Sequence, residues 1–242
     1  MLFDAHFHLD LMDNMRSLIR DFSSADIGVL AVGTTPKAYE RELQFCGGVE
    51  NIQVGLGLHP QLIADRQNEI ELFLRLARDS KFIGEVGLDF NSDYISSKDQ
   101  QLSVFRKIAK VCADEGGKIL SLHSIKSSGV VIDELCDAGV FKTNICVFHW
   151  FTGRSTERKQ AIRAGAYFSI NSRMLKTKGG QETIKTVPRE RILLETDAPF
   201  TMQIRSVSEL KMAMERLVES ISEIRGENMR RQIEVNSAKV FL

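Results

Sequence analysis

The chain has 242 residues, 43% of them hydrophobic, and its 32 basic side chains balance its 32 acidic ones. That size and apolar share suit a globular domain with a buried core, and no apolar run approaches the ~20 residues that a membrane helix needs. A formal net charge of zero offers no broad basic surface for indiscriminate nucleic-acid binding.

The amino-terminal run Met1-Leu2-Phe3-Asp4-Ala5-His6 lacks the basic patch and apolar stretch of a signal peptide, so a cytoplasmic protein without a membrane partner is expected. Short β-prone runs lie at Leu2–His8, Gly28–Gly33, Ile52–Leu58 and Phe82–Val86. Four more follow at Ile119–His123, Ile145–His149, Ala166–Ile170 and Ile192–Thr196. Helical patterns alternate with them, among them Ile70–Ala77, Lys98–Glu115 and Val207–Ile224. The last is amphipathic, with Leu210, Met214, Leu217 and Ile221 at three- and four-residue steps. No repeat, low-complexity tract or linker interrupts the alternation, which predicts one domain over residues 1–242. Eight strand–helix alternations predict an α/β fold whose parallel sheet closes as a (β/α)8 barrel. A doubly wound open sheet is the alternative, but no Gly-rich dinucleotide turn follows the first strand. The cysteines Cys46, Cys112, Cys136 and Cys146 form no CxxC pair and read as small core residues of a reduced protein.

The chain has only five histidines, and each falls at or just past the end of a predicted strand. In a (β/α)8 barrel that end carries the active site. His6 and His8 are two apart on the first strand and therefore share a face. His59 follows the third strand, His123 ends the fifth and His149 ends the sixth. Glu85 closes the fourth strand and Asp197 the eighth. Any one of these residues alone is more simply a hydrogen-bonded core side chain or a helix cap. Together they predict a metal centre, because core histidines have no reason to gather at the ends of five strands while avoiding every helix. Imidazole mixed with carboxylate suits zinc, manganese, iron, cobalt or nickel. Six ligands exceed the needs of one tetrahedral ion, so two ions sharing a carboxylate fit better, with Asp197 as general base.

The segments Phe3–Asp10, Gly57–Pro60, Gly84–Asp89, Leu122–Ser124, Phe148–Gly153 and Leu194–Phe200 carry a resemblance. In order and spacing they resemble the motif series of the TatD family of metal-dependent deoxyribonucleases, within the amidohydrolase-like barrel superfamily. Asn236 and Phe241 echo the family's carboxy-terminal end. Thr34–Ala38 and Gly57–Leu62 look closest to the TatD-like nuclease of a bacterial anti-phage defence operon. The resemblance implies that His6, His8, Glu85 and Asp197 hold one divalent ion. Glu85 then bridges to a second, held also by His123 and His149. His59 faces the scissile phosphate or protonates the leaving oxygen. The implied activity is hydrolysis of DNA phosphodiesters, mostly in single strands, with two zinc, manganese or magnesium ions and with other proteins of a defence operon as partners.

Two departures bear on substrate binding. Ile125 stands where the family commonly has arginine, with Lys126 beside it, and the loop after Asp197 is short. Replacement phosphate contacts are sought in Arg154, Arg173, Lys176 and Lys178, whose bland reading is a solvated loop. Phe90, Tyr94, Trp150 and Phe151 are candidate platforms for unpaired bases or simply loop packing. Two further readings compete with the nuclease: a hydrolase of a non-nucleic substrate, and a component active only inside a multi-protein assembly.

Overall fold

The computed structural model of the chain describes residues 1–242. Its strands are β1 (Leu2–Phe7), β2 (Ile27–Val32), β3 (Ile52–Gly55), β4 (Phe82–Asp89), β5 (Ile119–Ile125), β6 (Ile145–His149), β7 (Tyr167–Ile170) and β8 (Ile192–Leu194). The helices are α1 (Met15–Phe22), α2 (Pro36–Cys46), α3 (Ile63–Arg66), α4 (Ile70–Ala77), α5 (Lys98–Glu115), α6 (Ser128–Asp137), α7 (Ser155–Ala164), α8 (Lys178–Thr186), α9 (Val207–Arg225) and α10 (Arg230–Phe241). The sheet order is β3-β2-β1-β8-β7-β6-β5-β4, and Leu56, just beyond β3, bridges in parallel to Ile83 of β4. Every neighbour in that order is also a neighbour in sequence, counting β8 and β1 as adjacent. A doubly wound sheet reverses at a switch point and leaves non-consecutive neighbours. The order is therefore that of the (β/α)8 class, as expected.

The strands form because they are short apolar runs buried on both sides. β1, β2, β4, β7 and β8 are buried at every position, as parallel strands covered on both faces must be. Most boundaries differ from the predicted ones by a residue or more, and three of the differences bear most on the candidate ligands. β5 runs on to Ile125, so His123 lies inside it instead of ending it. β4 continues to Asp89, in register with β5 as far as Asp89↔Ile125, so Glu85 sits inside the strand instead of closing it. β8 stops at Leu194 because the chain turns out of the ladder there. The Asp197 N–H instead donates to the His6 carbonyl at 3.0 Å, with Asp197 in a left-handed conformation at φ 50°.

Chain contacts divide the molecule into two compact units. The first comprises residues 1–31, 41–54 and 168–242. Its core stacks Phe3 on Phe241 with ring centroids 4.3 Å apart, and the buried Asn236 amide donates to the carbonyls of Arg189 and Ile192 at 2.8 Å each. Leu210, Met214, Leu217 and Ile221 of α9 are all buried, as their spacing predicts. The second unit comprises residues 32–40 and 55–167. Phe73, Phe105, Phe148 and Phe151 fill its interior. Cys46, Cys112 and Cys146 are buried and free, whereas Cys136 is exposed on the outer face of α6, so the core reading holds for three of the four. No helix is long and apolar enough to cross a membrane.

One buried charge in the first unit is a liability that pH reveals. The Oε1 atom of Glu42, on α2, is buried with no hydrogen-bond partner. Burial first, and the neighbouring Asp10 charge second, push its pKa up from the ordinary 4.5 to about 8, against a smaller opposing pull from His8. A carboxyl whose folded pKa lies above its unfolded one loses stability as pH climbs between the two values. We expect Glu42→Gln to leave the melting temperature unchanged at pH 4. At pH 9 it should raise stability by about 1–2 kcal/mol, the part-exposed position limiting the gain. Thermal melts of both proteins across that range provide the check.

Candidate metal centre

In the first unit, β1 delivers two imidazoles to one point. His6 lies within β1 and His8 one residue past its end, and both are buried. The period-two geometry of a strand brings their Nε2 atoms to 3.3 Å of each other. The Asp197 carboxylate closes the group, its Oδ1 lying 3.5 Å from His8 Nε2 and 3.9 Å from His6 Nε2. Asp4 ties this group together from behind. Its fully buried carboxylate accepts the His6 N–H at 3.1 Å, the Thr196 N–H at 3.0 Å and the Thr196 hydroxyl at 2.5 Å. Burial pushes the Asp4 pKa up to about 7, with those hydrogen bonds pulling the other way. Glu195, likewise buried, accepts from the Ser169 hydroxyl and, at 2.8 Å, from the Asn171 amide; burial holds its carboxyl well above the usual range.

In the second unit three imidazoles enclose one carboxylate. Glu85 is 1% exposed. Its Oε1 lies 2.6 Å from His123 Nδ1 and 2.8 Å from His149 Nε2, and its Oε2 lies 3.2 Å from His59 Nε2. His149 Nε2 and His123 Nδ1 are 3.4 Å apart. The far nitrogen of His123 meets the Asp89 carboxylate at 3.0 Å. Burial alone would lower the His123 pKa, but the bonds to Asp89 and Glu85 outweigh it and set the value at about 9. At Asp89 burial raises the carboxyl, but its hydrogen bonds to His123, the Gln61 amide and the Asn91 N–H outweigh that and hold it below the usual range.

Both groups fit a divalent ion. Bonds of about 2.1 Å in a tetrahedral shell set neighbouring donors roughly 3.4 Å apart. The His6–His8 and His123–His149 pairs sit at 3.3 and 3.4 Å. His59, Glu85 and His123 offer donor atoms all within 4.8 Å of one another. A buried pocket of imidazole and carboxylate donors is the environment that imidazole-binding metals select.

A family model for TatD related DNase matches residues 3–242. The chain belongs to the TatD-related DNase family. An "uncharacterized metal-dependent hydrolase" of Buchnera aphidicola is 30% identical over 210 residues, spanning 82% of this chain and 78% of that protein. The "3'-5' ssDNA/RNA exonuclease TatD" of Cronobacter sakazakii is 25% identical over 229 residues, 88% of this chain and 86% of that one. The crystal structure of YJJV, a TatD homologue from Escherichia coli K12, matches with a TM-score of 0.84 across 99% of this chain and 97% of that chain. At 19% identity, that likeness shows the shared fold. The TatD membership makes the chain a metal-dependent hydrolase.

Within this TatD chain the sequence-predicted residues gather as two sets, His6, His8 and Asp197 in one unit and His59, Glu85, His123 and His149 in the other. The side-chain exposure of His59 is 13%, the highest of the five histidines, with the others between 0 and 9%. The cations sought as phosphate contacts fare unevenly. The Arg154 guanidinium donates to Glu157 Oε1 at 2.7 and 3.0 Å, and Lys126 Nζ donates to Asn91 Oδ1 at 3.1 Å. Arg173, Lys176 and Lys178 are exposed on the segment after β7. Of the aromatic candidates, Phe151 is buried edge-on against Phe148 and is packing, and Lys98 Nζ lies 5.0 Å over the Phe90 ring.

Several functional neighbours escape a reading of the sequence. Asp89 meets His123 across 34 residues and the Gln61 side chain meets Asp89 across 28. Phe200 is 58% exposed and meets the His8 ring edge-on at 5.0 Å. Its place in the motif Leu194–Phe200 was the available signal.

Proposed function

We propose that this TatD-family hydrolase cleaves phosphodiester bonds of DNA, chiefly single strands, using two divalent ions. The observation that carries the reading is a buried Glu85 enclosed by three imidazoles, an arrangement that favours a bound cation over any packing role. His6, His8 and Asp197 hold one ion, and Glu85, His123 and His149 the other. Zinc or manganese suits the mixed donors better than magnesium. Such a pair, when bound, lowers the pKa of a water and neutralises charge on the phosphoryl oxygens. Asp197 accepts the attacking water's proton at a carboxylate oxygen. His59, the imidazole most open to solvent, donates an N–H to the phosphate or the leaving oxygen. Arg173 and Lys176 supply phosphate contacts, and Arg154 joins them by exchanging Glu157 for a phosphate. The Cronobacter relative, named a 3'-5' ssDNA/RNA exonuclease, supports the strand preference. Thr34–Ala38 and Gly57–Leu62 support a narrower kinship with QatD, a TatD-like nuclease of an anti-phage operon.

A specific observation favours one second reading. Ile125 replaces the usual phosphate-binding arginine and is half-buried, while Lys126 and Arg154 are already engaged. A partner protein of the operon would then complete the substrate site. The deciding assay incubates the protein with end-labelled single-stranded DNA and manganese, beside a chelator control and an Asp197→Asn variant. We expect cleavage that the chelator stops and that the variant reduces by about 10³-fold. Absence of cleavage by protein shown to contain metal would sink the stand-alone nuclease and leave the partner-dependent form.

A further inference from the structure

Resting on the metal-centre reading above, we infer that Gln61 and Asp89 are a positioning pair that fixes the Nε2–H tautomer on two oppositely turned imidazoles, making His123 a ligand through Nδ1 and His59 an N–H donor through Nε2. A neutral imidazole has one N–H and one lone pair, and the partner of one nitrogen decides the state of the other. Asp89 is 1% exposed and lies at the end of β4. Its Oδ2 receives His123 Nε2 at 3.0 Å and the Gln61 side-chain amide at 2.8 Å, and its Oδ1 receives the Asn91 N–H at 2.8 Å. A carboxylate there can only accept, so the His123 proton resides on Nε2. Its Nδ1, 2.6 Å from Glu85 Oε1 and 3.4 Å from His149 Nε2, shares a second proton with Glu85 in the metal-free protein and would offer its lone pair to an ion that takes that proton's place. At His59 the roles reverse. The Gln61 backbone N–H donates to His59 Nδ1 at 3.2 Å, so the His59 proton resides on Nε2, toward Glu85 Oε2.

Asp89 itself is held rigid. Its N–H donates to Gln101 Oε1 at 2.8 Å, and its carbonyl accepts the Gln101 amide at 3.0 Å. Gln101, on α5, is wholly buried. A merely structural carboxylate has no need to be clamped at backbone and side chain while its oxygen is aimed at a ring nitrogen. Groups that orient a ligand do, because ring rotation by a few tenths of an ångström spoils coordination. Gln61 thus links the two rings from outside the centre, through its side chain to Asp89, which holds His123, and through its backbone to His59.

The test uses the full chain, stripped of metal and titrated with zinc against a chromophoric chelator, with nitrogen-15 labelling of its five histidines. We expect two zinc ions to bind the unaltered protein, with the His123 Nδ1 resonance shifted by ligation and with Nε2–H signals for His123 and His59. Asp89→Asn, whose amide can donate to Nε2 and drive the proton to Nδ1, should weaken one of the two zinc sites by about 10–100-fold and leave the other unchanged. Gln61→Leu should weaken the same site by about 10-fold while its intact backbone keeps the His59 signal in place. Melting temperatures of the metal-free variants separate this from unfolding. Two zinc ions bound with unchanged affinity by both variants would overturn the positioning pair and leave the metal centre standing. Fewer than two ions on the unaltered protein would overturn the two-ion reading and the pair with it.

Discussion

Replacing Glu85 by glutamine is expected to cost at least about 10³-fold in hydrolytic rate, roughly 4 kcal/mol of transition-state stabilisation. The substitution keeps the shape of the side chain and removes only its charge. That charge is what three imidazoles share: His123 Nδ1, His149 Nε2 and His59 Nε2 all lie within 3.2 Å of its oxygens. A neutral amide is a poor ligand and also presents an NH₂ group to nitrogens that need an acceptor. Zinc content should fall with the rate, and added metal at high concentration should recover little of it. The metal-free variant should also be less stable than its parent near neutral pH, where His123, at about 9, carries a proton that Glu85 stabilises. Retention of full activity by a folded Glu85→Gln protein would end the metal-centre reading in its present form.

Adding one methyl group at Gly57 or Gly87 should be nearly as damaging, through the backbone. A Cβ at Gly57 would meet the Gly33 carbonyl oxygen at 1.7 Å and the Glu85 nitrogen at 2.8 Å. Those two atoms form the hydrogen bond that seats Glu85, at 2.9 Å, so an alanine must displace the carboxylate to be accommodated. At Gly87 the backbone has φ 144°, a conformation closed to other residues, and a Cβ would lie 2.0 Å from the His123 carbonyl oxygen. Neither obstacle is a flexible side chain. Gly57→Ala and Gly87→Ala should each cost more than about 3 kcal/mol, read as a lowered urea midpoint, or leave no folded protein. Gly179→Ala is the matched control: it lies in α8 with nothing within 4 Å of its Cβ, and alanine there should gain up to about 1 kcal/mol.

The glycines show how a motif read as chemistry is also architecture. Gly57 and Gly87 stand two residues from the site residues His59 and Glu85 in two of the family segments. Their requirement is close backbone approach, at and just beyond the register shift between Ile83 and Val86 where β4 carries Glu85 before pairing with β5 resumes. Asp4 plays the equivalent part in the other unit, where one buried carboxylate fastens the backbone of His6 to that of Thr196, next to Asp197. Two positions from a site residue in each case, these residues are legible as motif members. Their physical task becomes visible only when the distances are known.

Much of the fold and of the ligand set was determined by the linear chain. Burial on both faces forces a parallel strand to be a continuous apolar run, so eight such runs spaced by helical patterns were legible without coordinates. Period-two spacing puts His6 and His8 on one face whatever surrounds them. Strand ends were less legible, because they depend on pairing with distant partners: β4 runs to Asp89 against β5, and β8 stops at Leu194 once the Asp197 N–H turns to His6. The tertiary structure alone decided the supporting shell. Asp89 meets His123 across 34 residues and Gln61 meets Asp89 across 28. Local pattern reports which face a side chain occupies, whereas hydrogen-bond partners are set by the three-dimensional approach of segments that no sequence periodicity couples.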